Sequence, residues 1–250
     1  MHFFIKKIRL LLFLMRRVPQ RGWAQFIRGM RERDVGYLAM EFARILPREA
    51  STIVDVGAHS GLVSDALDFL YRPTRLWAVE PNPLHRAHLE ARFEGRPNIE
   101  TVRMCLGEDT GEVNFFSYEF DAASSLYACR PGHLASLGLS ENNTPIKVPM
   151  MKLGDLLPRD LGTLDLLKVD CQGAELSVLK GAGSRIRQIR WIYSEVSFDP
   201  IYDNAPLFSE LHSFLRAEGF ELRQLGRFSG AGRSIQWADA LYANIALASN

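Results

Sequence analysis

Two short apolar segments, each with an acidic residue near its end, constrain the fold of this chain most strongly. The first runs over residues 52–57, contains Asp55 and leads into a turn that ends at Gly61. The second runs over residues 76–80 and ends in Glu80. A buried strand, a glycine-containing turn into a helix and a second strand with an acidic tip are typical of a nucleotide-binding α/β unit. We therefore predict a nucleoside pocket at the carboxyl ends of these two strands.

The residues of this first motif have different predicted roles. Gly57 and Gly61 let the backbone approach a ligand where a Cβ atom would clash, and Ala58 lies between them in the same loop. Glu80 is placed to accept hydrogen bonds from both ribose hydroxyls. Asp55 occupies the position at which a dinucleotide-binding turn has its first glycine, and a carboxylate there disfavours a pyrophosphate. It suits the positive centre of S-adenosylmethionine, so we predict that Asp55 meets the ammonium of this cofactor or orders the loop.

Strand-like and helix-like segments alternate from residue 52 onwards, which is typical of a mainly parallel, doubly wound α/β sheet. The chain closes on two strand-like segments without a long helix between them. This predicts a terminal antiparallel hairpin, a feature of class I methyltransferases with their Rossmann-like sheet. The predicted strands are 52–57, 76–80, 99–106, 164–170, 189–196, 221–227 and 239–247. The predicted helices are 61–71, 83–94, 173–186 and 206–218.

Residues 112–152 interrupt this alternation and form a predicted insertion. Two strand-like segments, 112–120 and 146–153, flank a polar loop. An excursion of this length inside an α/β unit is usually functional when it is ordered, so we predict a substrate-side cap. A mobile surface insertion is the alternative. The predicted division of the chain is a basic N-terminal helical segment, 1–48, followed by the methyltransferase-like domain, 49–250.

Charge is distributed unevenly along the chain. The formal net charge is +1, so the total does not suggest a nucleic-acid partner. Residues 1–33, however, contain nine Lys or Arg and one acidic residue. Apolar residues recur at helical spacing within residues 1–18, which predicts either peripheral contact with an anionic membrane or a helix that packs on protein. The longest uninterrupted apolar run there, 10–15, is too short to span a bilayer.

A second motif lies between Leu164 and Ala182. Lys168 and Asp170 are two residues apart on a predicted strand, so their side chains share one face at the ligand-binding edge of the sheet. Asp170 is the first candidate for a base that removes the proton of an acceptor hydroxyl, and Glu195 is the second. Lys168 either holds the substrate, tunes the Asp170 carboxylate, or forms a structural ion pair with it.

These motifs resemble the FkbM-type methyltransferase family over about residues 50–225. The string from Lys168 to Ala182 is close to the family's hallmark, and residues 54–61 and 79–82 match its cofactor motifs. Gln172 departs from the family's usual glutamate, which puts in doubt any role that needs a charge at this position. The resemblance implies a seven-stranded, S-adenosylmethionine-dependent fold and O-methylation of a hydroxyl on a sugar, polyketide or other secondary metabolite.

Two further residues complete the predicted cofactor pocket. Asn82 supplements the adenosine site, and Leu106 ends the third predicted strand, where this fold packs the adenine ring in an apolar slot. The methyl acceptor is expected to be a small-molecule or glycan hydroxyl. Two alternatives remain open: a membrane-associated, non-catalytic binding protein with the same fold, and a nicotinamide-dependent oxidoreductase, which Asp55 disfavours.

Cysteine and histidine spacing does not indicate a metal centre. The three cysteines are odd in number and widely separated, so neither a disulfide framework nor a zinc cluster follows, and a cytoplasmic location is the simplest interpretation. His59 lies inside the cofactor loop and is interpreted as a packing or hydrogen-bonding residue. We predict no metal ligands, with a magnesium ion on Asp170 and Glu195 as the open alternative.

Overall fold

The computed structural model of the chain describes residues 33–230 and 235–248. Its strands are, in chain order, β1 (Thr52–Val56), β2 (Arg75–Val79), β3 (Ile99–Val102), β4 (Cys105–Gly107), β5 (Gly111–Tyr118), β6 (Asn143–Lys152), β7 (Leu164–Val169), β8 (Ile189–Ser197), β9 (Phe220–Ser229) and β10 (Trp237–Asn244). Its α-helices are α1 (Arg33–Ile45), α2 (Leu62–Tyr71), α3 (Arg86–Phe93), α4 (His133–Ser136), α5 (Leu153–Leu156), α6 (Glu175–Gly181) and α7 (Phe208–Ala217). Short 3₁₀ helices cover Pro83–His85, Asp121–Ala123 and Gly183–Gln188.

Seven strands form the central sheet, in the order β3-β2-β1-β7-β8-β10-β9. Neighbouring strands from β3 to β8 run parallel, whereas β10 is antiparallel to both β8 and β9. Ile53 and Val54 on β1, and Leu166 and Leu167 on β7, are fully buried. Central parallel strands covered by helices on both faces require such apolar residues. The predicted seven-stranded, mostly parallel α/β sheet with a terminal antiparallel hairpin is confirmed.

The order of the strands also determines where a ligand can bind. β1 lies between β2 and β7, so the chain winds outward in opposite directions from this point of the sheet. Open α/β sheets bind ligands in the crevice that such a reversal leaves at the carboxyl ends of the strands. The parallel register aligns Asp55 of β1 with Lys168 of β7 directly beneath this crevice.

A second, smaller sheet, in the order β4-β6-β5, contains the predicted insertion. The prediction of a single strand over residues 99–106 is wrong, because this segment forms two strands in two different sheets. The chain leaves the central sheet after Val102, and the segment that begins at Cys105 pairs with β6 instead of extending β3. The reason is a separate apolar core between β4, β5 and β6, which holds Cys105, Phe115 and Val148.

One predicted helix differs in length from the observed one. The helix predicted over 173–186 ends at Gly181 and is followed by the 3₁₀ turn that begins at Gly183. A positive φ of 55° at Gly183 does not belong to an α-helix, and glycine adopts it without the clash of a Cβ atom.

α1 packs its apolar residues against the same core as the sheet, with Val35, Ala39 and Phe42 buried. This part of the predicted N-terminal segment therefore contacts the domain, and the boundary after residue 48 stays a prediction. The membrane contact predicted for residues 1–18 lies outside the described residues. Over the two described ranges, no helix combines the length and the apolar character needed to cross a membrane.

Candidate active site

A cavity at the carboxyl ends of β1, β2 and β7, here called the strand-end cavity, brings five predicted site residues together. Gly57, Glu80, Asn82, Leu106 and Asp170 all line it. It contains about 770 Å³ of space, part of it open to solvent. The other lining residues are Val56, His59, Val79, Pro81, His85, Met104, Cys105, Phe115, Asp121, Ala122, Ser124, Leu126, Cys171, Gln172 and Ala174.

Glu80 connects the loops that follow β1 and β2. Its Oε2 accepts a hydrogen bond from the backbone N–H of His59 at 2.9 Å, and its Oε1 accepts one from the N–H of Asn82 at 2.8 Å. Burial raises the pKa of the Glu80 carboxyl, although these two N–H groups lower it. Each oxygen retains a lone pair beyond its backbone bond, so the carboxylate can still accept from a ligand in the cavity.

The loop after β1 uses its own backbone amides internally. The N–H groups of Gly57 and Ala58 both donate to the carbonyl oxygen of Val79 at 3.0 Å, and that of Gly61 donates to Ala58 at 2.8 Å. Ala58 and Gly61 are not among the residues that line the cavity. They therefore shape the loop, and their predicted part in cofactor binding stays a prediction.

The two predicted glycines are required by protein contacts. Gly57 has a φ of 76°, and a Cβ atom on it would lie 1.8 Å from the carbonyl oxygen of Asp170. Gly61 has a φ of 82°, and its Cβ atom would lie 2.8 Å from the ring of Phe93 on α3. A Cβ atom at these positions would clash with the loop after β7 and with α3, and the predicted approach of a ligand to these glycines stays a prediction.

Asp55 and Lys168 form a buried ion pair beneath the cavity. Their Oδ1 and Nζ atoms are 3.1 Å apart, and Asp55 Oδ2 accepts a hydrogen bond of 2.6 Å from the hydroxyl of Ser64. Burial lowers the pKa of Lys168, but the charges of Asp55 and Asp170 outweigh this effect and raise it above its usual value.

The contacts of this ion pair distinguish between the roles predicted for Asp55 and for Lys168. Lys168 also donates to the carbonyl oxygens of Val56 and Gly57, and neither Lys168 nor Asp55 lines the cavity. Of the alternatives stated above, loop ordering fits Asp55 and a structural ion pair fits Lys168. The predicted partner, Asp170, lies farther from the ammonium than Asp55 does, at 3.7 Å.

Asp170 follows β7 directly and faces the cavity with a side chain that is 38% exposed. Gln172, which adopts a positive φ of 58°, donates from Nε2 to Asp170 Oδ1 at 2.9 Å. The Gln172 Oε1 in turn accepts a hydrogen bond of 2.9 Å from the hydroxyl of Tyr202. The amide at position 172 can therefore orient the Asp170 carboxylate, whereas a glutamate could not donate to it.

Two further carboxylates lie behind Asp170. One oxygen from each of Asp170, Glu175 and Glu195 lies within 4.8 Å of the others, and we call these three residues the carboxylate cluster. Burial raises the pKa of Glu175 to about 7. Burial also raises the pKa of Glu195 well above its usual value, and the charges of Asp170 and Glu175 add to this effect. Like charges this close favour keeping one proton between them. Glu195 does not line the cavity, and β8 continues past it to Ser197.

The side of the cavity near Glu80 is apolar and closed. Leu106 is 2% exposed on β4, in the second sheet and not in the central one as predicted. Asn82 is also buried. Its Oδ1 accepts a hydrogen bond from the N–H of Leu84 and so begins the 3₁₀ turn. Burial raises the pKa of the Cys171 thiol, which disfavours the thiolate form that a nucleophile needs.

The structure brings together a further group that the sequence did not indicate. His59, His85 and Asp121 come from three separate segments, and all three line the cavity. The two imidazole rings lie 3.8 Å apart between centroids, and burial followed by the charge of His59 lowers the pKa of His85. Because the three residues are far apart in sequence and follow no metal-binding spacing, no local motif could reveal them.

Comparisons with known proteins agree with this geometry. The model of the methyltransferase FkbM domain matches residues 55–222. The 2-O-methyltransferase NoeI of Sinorhizobium fredii (strain NBRC 101917 / NGR234) is 26% identical over 173 residues, which are 65% of this chain and 70% of NoeI. The crystal structure of methyltransferase FkbM from Methylobacillus flagellatus KT superposes with a TM-score of 0.54 at 17% identity.

That structure covers 96% of this chain, which in turn spans 59% of its length, and at this identity the likeness shows the fold alone. The family match extends over both sequence motifs and over the insertion between them. The chain belongs to the FkbM methyltransferase family.

Proposed function

We propose that this protein transfers the methyl group of S-adenosylmethionine to a hydroxyl of a small molecule or glycan. The observation that carries the proposal is that Glu80 and Asp170 line one cavity at the reversal point of the sheet. The first is suited to a ribose and the second to a hydroxyl. The name of NoeI, a 2-O-methyltransferase, supports an oxygen acceptor.

The donor would be held along the loops after β1, β2 and β4. Glu80 would accept from the ribose hydroxyls, since its oxygens are oriented by backbone N–H groups and retain acceptor capacity. Leu106 and Cys105 supply an apolar wall for the adenine, with Asn82 beside it. Gly57 and Asp170 line the remainder of the cavity and would hold the methionine portion of the donor.

Methyl transfer from a sulfonium is an in-line displacement. An oxygen lone pair of the acceptor forms a bond to the methyl carbon while the carbon–sulfur bond breaks, and the electrons of that bond remain on sulfur as S-adenosylhomocysteine. Holding both reactants in line supplies much of the rate acceleration. The proton of the hydroxyl passes to Asp170, which lies at the cavity surface, whereas Glu195 lies behind it.

The carboxylate cluster would help the proton to leave the reaction site. Burial and the charge of Asp170 raise the pKa of Glu195 well above its usual value, so this carboxyl binds a proton more tightly than an exposed one does. One carboxyl oxygen from each residue lies within 4.8 Å of the others, so a proton accepted by Asp170 would pass to the cluster through a bridging water. Glu195 stays the second candidate for the base, and it would have to be ionised to act in place of Asp170.

Two measurements on the full chain test this proposal. Calorimetric titration with S-adenosylhomocysteine should show micromolar binding, and NAD should show none. Transfer of labelled methyl from S-adenosylmethionine to a panel of sugars and hydroxylated secondary metabolites should then identify an acceptor whose product carries the label on oxygen. Label on nitrogen or carbon would refute O-methylation, and failure to bind S-adenosylhomocysteine would favour a non-catalytic binding protein.

A further inference from the structure

Three side chains at the mouth of the strand-end cavity converge on one point, although each comes from a different segment. His59 lies in the loop after β1, His85 in the 3₁₀ turn after β2, and Asp121 in the insertion. The Nε2 of His59 is 3.2 Å from Asp121 Oδ2, and the Nε2 of His85 is 3.5 Å from the same oxygen. We call these three residues the His–Asp cluster.

Neither imidazole nitrogen that faces Asp121 has its hydrogen-bonding capacity satisfied. The Nε2 atoms of His59 and His85 are both buried and form no hydrogen bond of normal geometry. Buried polar atoms are nearly always paired, so two such atoms aimed at one carboxylate oxygen require an explanation. A cation held between the three ligand atoms would satisfy both nitrogens and the carboxylate at once.

The spacing of the ligand atoms fits a small, borderline-soft divalent cation. Zinc binds nitrogen and oxygen at about 2.0–2.2 Å, so two ligands in a tetrahedral site are separated by about 3.3–3.6 Å. The two measured separations from Asp121 Oδ2, 3.2 and 3.5 Å, are close to this edge length. The third edge, between the two imidazole nitrogens, is no longer than 4.8 Å. Two imidazoles with one carboxylate suit zinc or a neighbouring transition metal, whereas magnesium prefers oxygen ligands.

We propose that the His–Asp cluster is a binding site for a divalent transition metal of the zinc type. Three protein ligands leave a fourth position, which would face the strand-end cavity because all three residues line it. The cation would also connect the insertion, through Asp121, to the two loops that Glu80 already connects. This proposal goes beyond the proposed methyl transfer and does not depend on it.

The test uses the full chain after removal of metal with a chelator. Calorimetric titration with Zn²⁺ should show one site with a dissociation constant in the micromolar range or below. His85→Ala and Asp121→Asn should each weaken that binding by at least about tenfold, since the first removes an imidazole ligand and the second removes the negative charge of the carboxylate ligand. His133→Ala and Cys129→Ser remove an imidazole and a thiol elsewhere in the insertion, and they should leave the affinity unchanged.

Two further readouts distinguish this site from others and from misfolding. Co²⁺ bound to the cluster should give visible absorption without a sulfur-to-cobalt charge-transfer band, and the spectrum should be lost in Asp121→Asn. Far-ultraviolet circular dichroism should confirm that each variant is folded. Absence of Zn²⁺ binding in the wild type, or equal binding in the wild type, His85→Ala and Asp121→Asn, would overturn the proposal. Failure to bind S-adenosylhomocysteine would count against methyl transfer alone.

Discussion

At the scale of single residues, Glu80 has two separable roles. It holds the loops after β1 and β2 through the N–H groups of His59 and Asn82, and it is the proposed ribose acceptor. Glu80→Ala should weaken S-adenosylhomocysteine binding by about tenfold or more, because hydrogen bonds to a charged group contribute about 1.5–3 kcal/mol each. Calorimetry measures the loss, with the exposed Glu94→Ala as control. Unchanged affinity in Glu80→Ala would refute the ribose assignment.

Asp170 is the residue on which the proposed chemistry depends most. Asp170→Asn keeps the acceptor oxygen for the Gln172 amide but cannot take up the hydroxyl proton. We expect turnover to fall by about 10²–10⁴, the usual contribution of a general base, while S-adenosylhomocysteine affinity stays within about twofold. Single-turnover transfer of labelled methyl measures the first quantity and calorimetry the second. Full activity in this variant would move the base elsewhere, with Glu195 as the next residue to replace.

Replacement of Gln172, which donates a hydrogen bond to Asp170, tests the role of the Asp170 carboxylate indirectly. Gln172→Glu restores the residue usual in the family, removes the hydrogen bond donated to Asp170 and adds a negative charge beside it. A like charge raises the pKa of a carboxylate, so the acidic limb of the pH–rate profile should move up by about one unit. The exposed Gln224→Glu adds the same charge on β9 and should leave the profile in place. An unmoved limb in Gln172→Glu would mean that Asp170 is not the titrating base.

At the scale of elements, the loops after β1 and β7 contact each other so closely that only glycine fits between them. Gly57→Ala would place a Cβ atom 1.8 Å from the carbonyl oxygen of Asp170, in addition to the strain of a positive φ. Gly95→Ala is a matched control, because its φ of 74° is similar and no atom lies within 4 Å of its Cβ position.

We expect the control to lose about 1 kcal/mol of unfolding free energy, the cost of a left-handed conformation for a non-glycine residue. Gly57→Ala should lose about 3 kcal/mol or more, because backbone must also move. Urea unfolding followed by circular dichroism measures both variants. Equal losses would show that the two loops separate without cost, and that the contact is unimportant for stability.

Elements with a strong local pattern could be predicted, and those defined by distant pairing could not. Strands 52–57, 76–80 and 164–170 were predicted to within one residue of β1, β2 and β7, because continuous apolar segments end at glycine or acidic residues. The error over 99–106 arose because apolar residues continue across the point at which the chain leaves the central sheet. Only the pairing of β4 with β6 separates the two strands, and no local pattern records that contact.

At the scale of the whole molecule, the carboxylate cluster makes stability depend on pH in a defined direction. Glu175 is buried, and its pKa is raised from 4.5 to about 7, so the folded protein binds this proton more tightly than the unfolded chain does. The stabilisation from this proton is complete below the pKa of Glu175 in the unfolded chain, and it is lost as the pH rises through the folded-state pKa of about 7. Glu175→Gln should remove this dependence, because the amide stays neutral while its oxygen still accepts from Cys171 and Gly173.

Urea unfolding of the wild type and of Glu175→Gln, at several pH values between 4.5 and 8, measures the effect. A pKa shift of this size corresponds to about 3 kcal/mol. Between pH 4.5 and 8, the free energy of unfolding of the wild type should therefore fall by up to that amount relative to the variant. Glu94→Gln, at an exposed position, is the control and should follow the wild type. Parallel curves for Glu175→Gln and the wild type would contradict a buried, proton-holding Glu175.

The site could be predicted where it depends on strand ends, but not where it depends on register. Glu80 and Asp170 were found because acidic residues at the carboxyl ends of parallel strands meet at one edge of the sheet. The pairing of Lys168 with Asp55 follows from the alignment of β1 with β7, which the sequence does not reveal. The His–Asp cluster similarly depends on how the insertion folds back over the two loops.

The close contact of Gly57 with the carbonyl of Asp170 also has a consequence for protein engineering. The donor loop and the loop of the proposed base cannot shift independently, so methyl transfer would tolerate little redesign on that side of the cavity. Asp121, Ser124 and Leu126 line the same cavity from the connection between β5 and β6, and Leu126 packs against the small core of the second sheet. A graft of the segment between β5 and β6 from a relative should therefore exchange one acceptor for another if it keeps Asp121 and Ser125, which contact the loops after β1, β2 and β7.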